Sequence, residues 1–200
     1  ELPEPKWAIP GFIPVGLTIL AGRPKVGKSY LGLGLAFAVA VGGYAFGKVQ
    51  VEQGEALYIG LEDSLFRLQE RLEQMLDEKR PDKLYLLTEF PRLDAGGLNV
   101  LSEWLDEHPS VRLIIIDTLE KIRPRIKRGS DIYAEDYSVV GSLQKFALSR
   151  GIALMLIHHT RKAEADDVWD EISGTTGITG AADTLMVIKR TADKTTLHIT

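Results

Sequence analysis

The chain has 200 residues, 44% hydrophobic and 26% charged, with a formal net charge of -4 and an isoelectric point near 5.6. These values fit one packed domain and exclude a surface that is basic overall, so any contact with nucleic acid must be local. The chain has no cysteine, which excludes disulfides and thiolate chemistry, and its four histidines lack the spacing of a zinc site; both suit a cytoplasmic protein.

Residues 1–15, opening "ELPEP", read as a linker or lead-in segment, and residues 16–200 as one domain. A first residue that is Glu1 and an alternating "TTLHIT" at the end, an unfinished strand or hairpin, suggest a piece of a longer protein. Short β-rich runs then alternate with helical patterns. "GLTILAG" (16–22) precedes a helix from about Lys28 to Val41, and "EALYIGL" (55–61) precedes one from about Leu65 to Glu78. "KLYLLTE" (83–89) leads to a helix at about Leu98–Glu107, "VRLIIID" (111–117) to one at about Tyr133–Ser149, and "IALMLIH" (152–158) and "ADTLMVIKR" (182–190) complete the series. Repeated β-α-β units with nearly continuous apolar strands predict an α/β fold, a mostly parallel sheet with helices on both faces. The apolar stretch Tyr30–Phe46 approaches the length of a membrane span, but Gly32, Gly34, Gly42 and Gly43 interrupt it, so a buried helix is expected and no membrane partner. Two long connections, Leu119–Ser130 and Arg161–Thr176, both follow strands and emerge at the carboxyl edge, where such sheets bind ligands.

Between the first strand and helix stands "AGRPKVGKSY". Gly22, four residues, then Gly27, Lys28 and Ser29 form a phosphate-binding loop pattern in the strand-helix context that gives it meaning. Glycines let successive backbone N–H groups turn inward on phosphate. Lys28 offers a charge to the β and γ phosphates, Ser29 a hydroxyl to Mg2+, and the helix its positive end. The expected ATP-binding segment is Gly22, Arg23, Pro24, Lys25, Val26, Gly27, Lys28, Ser29 and Tyr30, with no separate role for the Lys25 side chain. "LIIID" ends in Asp117 at a strand tip, the Walker B arrangement that orients magnesium. In "LYIGLED", Glu62 suits a general base for the attacking water, and Asp63 suits the cap of the following helix. His158 and His159 close another strand; alternation favours His159 as the group that bonds the γ phosphate.

These motifs, with the lead-in "WAIPGFIPVGLTILAGRPKVGKS", "IHHTRK" and "SGTTGITGAADTLMVIKR", resemble RecA-like hexameric ATPases, within them the RepA-type replicative helicases, with DnaB and KaiC more distant. The resemblance covers nearly the whole chain. It implies a homo-oligomeric ring with ATP at each subunit boundary, Glu62 as catalytic base, His159 as γ phosphate sensor, and a trans-acting basic finger at Lys189 and Arg190. Here Ile188, Lys189, Arg190 depart from the Lys, one residue, Arg spacing of DnaB relatives; Arg190 suits the role because a planar guanidinium stabilises transferring phosphoryl charge. The resemblance also places the two long loops in a central channel, where Lys121, Arg123, Arg125, Lys127 and Arg128 could hold single-stranded DNA by its phosphates. The same five residues suit a solvated basic loop.

The expected activity is therefore an ATPase and DNA helicase in replication or repair, working with other replication proteins. Two other readings stay open. One is a KaiC-like switch acting on a protein partner; the other is a small-molecule kinase with Arg161 and Lys162 in a lid.

Overall fold

The computed structural model describes residues 6–75, 81–125, 131–160, 168–169, 172 and 176–200. Its centre is a sheet of seven strands. They are β3 (Gly16–Gly22), β6 (Glu55–Gly60), β7 (Leu84–Leu87), β8 (Val111–Asp117), β9 (Ala153–His159), β10 (Thr184–Arg190) and β11 (Thr195–Ile199). Across the sheet their order is β11-β10-β3-β9-β8-β6-β7. All neighbours run parallel except β10 and β11, which form the terminal hairpin.

The strands are apolar on both sides because both sides are covered. Alternate residues such as Leu20, Tyr58, Ile115 and Ile157 pack with helix α1 (Lys28–Val41) and helix α2 (Leu65–Glu73). The residues between them, Ile19, Leu57, Ile116 and Leu156 among others, pack with α3 (Gly97–Glu107) and α5 (Ile132–Arg150). Glycine at 42 and at 151 takes the left-handed conformation that ends α1 and α5, and their N–H groups close on the preceding turn. No helix among the described residues is long and apolar enough to cross a membrane.

Four short elements lie outside the predicted series, two of them hairpins. Strands β1 (Trp7–Ile9) and β2 (Ile13–Pro14) pair within the lead-in segment, and Ile9 and Ile13 are buried in the α1 side of the core. Strands β4 (Tyr44–Ala45) and β5 (Val49–Gln50) form the second hairpin, after α1. The basic connection after β8 opens with a helical turn, α4 (Leu119–Ile122), because Leu119 and Ile122, three apart, are both buried. A last turn, α6 (Thr176–Thr179), precedes β10. The predicted helix from Leu65 runs as far as Glu73, and the end of its expected span, beyond 75, lies outside the described residues.

Candidate active site

Phosphate-loop residues follow β3 directly. Lys25 and Gly27 both have positive φ, 65° and 107°, so the loop is curled as a run of alternating hands, the shape that gathers N–H groups on one side. A Cβ on Gly27 would meet open space, so backbone conformation requires glycine there; at Gly22 it would lie 2.7 Å from the Ile188 carbonyl oxygen, so close packing does. No side chain caps the start of α1 at Gly27, which leaves its first N–H groups for an anion. Arg23, Pro24, Lys25, Gly27 and Tyr30 are exposed around this cradle, Val26 is half-buried, and Lys28 is 4% exposed.

Sheet order then lines up the other groups. Gly22 stands level with His159 on β9, Asp117 on β8 stands level with Ile157, and Gly60 on β6 stands level with Asp117. The strand tips β3, β9, β8 and β6 thus carry Lys28, His159, Asp117 and Glu62 in one row. Lys28 Nζ donates to the Gly22 carbonyl at 2.8 Å and the Arg23 carbonyl at 2.9 Å, and lies 3.1 Å from His159 Nδ1. Because an ammonium can only donate, Nδ1 accepts and the ring proton sits on Nε2. That nitrogen faces Glu62 Oε2 at 3.4 Å, while Thr118 Oγ1 donates to Glu62 Oε1 at 3.2 Å. Lysine, imidazole and carboxylate therefore form one hydrogen-bonded line.

Ser29 and Asp117 are hydrogen-bonded to each other across the gap between α1 and β8. Asp117 is buried, and burial raises its pKa, opposed by bonds from Ser29 and Tyr58 and reinforced by the charges of Glu62 and Asp63. Such a crowd of carboxylates beside a hydroxyl fits a divalent cation, which would relieve the repulsion; Ser29 and Asp117 would hold it. Burial lowers Lys28 to about 8, against the pull of Asp117 and Glu62. A phosphate ligand would supply the countercharge that burial has removed.

Sequence expectation and geometry part company at several positions. Asp63 does not cap α2; Ser64 does, accepting from Arg67 N at 3.3 Å, while Asp63 is ion-paired with Arg71. The cap falls to the residue immediately before the helix, whose short hydroxyl reaches back over the first turn. His158 lies off the row: burial and the neighbouring His159 lower it to about 4, and it senses Asp136 and Arg123 instead. Arg123 is turned inward, paired with Asp136 and Glu120, which ties α4 to α5. Lys121 and Arg125 are exposed, and Lys127 and Arg128, like Arg161 and Lys162, lie outside the described residues. Arg190 is exposed at the tip of β10, and Lys189 beside it is half-buried; β10 lies on the far side of β3 from the row.

Thr118 and Tyr58 escaped the sequence reading. Tyr58 carried a signal, since a phenol inside an apolar strand needs a polar partner. Thr118 carried none, because its bond to Glu62 depends on β6 and β8 being neighbours.

A family model of the AAA domain matches residues 1–165. No curated protein matches the chain. Among solved structures, the chain is similar to the ATPase domain of a helicase, with a TM-score of 0.66, 12% identity, and coverage of 88% of this chain and 70% of that one, a likeness of fold. With a phosphate-type loop leading a mostly parallel sheet, the chain belongs to the AAA domain family and has the fold of a RecA-like P-loop ATPase.

Proposed function

We propose that the chain hydrolyses ATP with Mg2+ and works as a RepA-type ring motor on single-stranded DNA. The observation that carries the hydrolytic part is the line Lys28, His159, Glu62, with Ser29 and Asp117 beside it. Lys28 and the loop N–H groups would bind the phosphates, Ser29 and Asp117 would hold the metal, and the metal would neutralise phosphoryl charge. Glu62, 40% exposed at its side chain and oriented by Thr118 and His159, is placed to take a proton from water. His159 would exchange its contact with Lys28 for one with the γ phosphate, and Arg190 would reach the site of a neighbouring subunit.

Support for DNA is local. Lys121 and Arg125 are exposed at the carboxyl edge, and Tyr133 and Tyr137, one helical turn apart, expose parallel rings 6.4 Å between centroids. Exposed rings of this kind suit base stacking, and the lysine and arginine suit phosphates. Asp131, Glu135 and Asp136 crowd the same end of α5, which favours a second reading, a KaiC-like switch that binds a protein partner.

Steady-state ATP hydrolysis with and without single-stranded DNA, across protein concentration, separates them, with Lys28→Ala as the blank. Stimulation that rises cooperatively with concentration is the expected result. Hydrolysis indifferent to DNA would transfer the proposal to the switch, and wild-type turnover in Lys28→Ala would remove the nucleotide site itself.

A further inference from the structure

Tyr58 is completely buried in the middle of β6, yet it brings a hydroxyl into the core. That hydroxyl lies 2.8 Å from Asp117 Oδ2 and 3.4 Å from the Ser29 carbonyl oxygen. A phenol has one proton, and the shorter contact, to a carboxylate, is the stronger, so the proton is given to Asp117. The ring that carries the hydroxyl cannot swing. A Cβ added at Gly32 of α1 would come 3.5 Å from Tyr58 Cε2, and one at Gly60 would come 3.0 Å from its Cε1. Both glycines leave room that the ring fills.

Without such a partner, the carboxylate of Asp117 would be loosely held, because a terminal carboxyl torsion has a broad minimum. With it, one oxygen is engaged from below by an immobile donor. We propose that Tyr58 is a positioning residue for magnesium, fixing the Asp117 carboxylate against Ser29 so that the acid and the hydroxyl present themselves together to the ion. This rests on the nucleotide site proposed above. Partners behind a metal ligand commonly change metal affinity by about 10- to 100-fold.

Tyr58→Phe tests it, since phenylalanine keeps the ring and its packing and removes a single oxygen. Binding of a fluorescent ATP analogue is followed as Mg2+ is titrated, with full-length wild-type protein alongside. The variant is expected to bind the nucleotide alone like wild type, while its Mg2+ midpoint rises about 10-fold or more. In an Asp117→Asn background the same change should add nothing further. An unchanged Mg2+ midpoint overturns the assignment, and so does an equal loss of affinity with and without Mg2+, the mark of a purely structural role. Wild-type binding that ignores Mg2+ overturns the metal site and Tyr58 with it, whereas a wild type that responds to Mg2+ beside an identical Tyr58→Phe removes Tyr58 alone.

Discussion

Lys28 brings a charge into a place where little water reaches it, and its own loop's carbonyls supply the partners. Its pKa is lowered from 10.5 to about 8, so between pH 8 and 10.5 the unfolded chain binds more protons than the folded one. Stability of the nucleotide-free protein should therefore gain a contribution from this residue as pH rises through that window, on the order of 3 kcal/mol at most. Denaturation of wild type and Lys28→Met at pH 7, 8, 9 and 10 checks it: the advantage of the methionine variant at pH 7 should shrink as pH rises. His158 gives the acid counterpart. Its pKa falls from 6.5 to about 4, so the stability it allows is present above 6.5 and is lost as pH drops through 4. His158→Gln should flatten the melting temperature between pH 7 and pH 4. Glu62→Gln belongs to the same scale: the amide keeps the size of the side chain but cannot take a proton. ATP binding should persist and single-turnover hydrolysis should slow by about 100- to 10,000-fold.

At the scale of elements, β3 is squeezed between β9 and β10, and the squeeze is tightest at Gly22. A methyl there would press on the backbone carbonyl of Ile188, which is held by the sheet and cannot rotate away. Gly22→Ala should cost about 1–3 kcal/mol in urea unfolding and weaken nucleotide binding, because the strand carries the loop. The long strands and helices were legible in the sequence, since each sustains its period over seven residues or more; the limits of α1 and of β8 coincide with the sequence reading. The hairpins β1–β2 and β4–β5 were not, because runs of two or three residues carry no period to read. The α4 turn was hidden inside a basic run whose charges masked Leu119 and Ile122. For the site, Lys28, Asp117, Glu62 and His159 were visible as motif positions. What Thr118 and Tyr58 touch was not, since those contacts arise from strands far apart in sequence becoming neighbours.

For the whole molecule, a ring with sites at subunit boundaries makes a quantitative demand. Arg190→Ala and Lys28→Ala should each be inactive alone. Mixed in equal amounts, they should recover about a quarter of wild-type turnover, because that share of boundaries would join an intact Lys28 to a neighbour's intact Arg190. No recovery would mean that each site is complete within one chain. The terminal hairpin bears on this. β10 is bonded through five residue pairs to β3 and through five more to β11, and the turn between them is closed by Thr191 N donating to the Lys194 carbonyl. The floor of the phosphate loop and the tip that carries Arg190 are thus parts of one stiff ladder of main-chain bonds. A shift of the loop on nucleotide exchange is delivered to that tip as a lever delivers motion, with no side chain in between whose removal could disconnect the two ends.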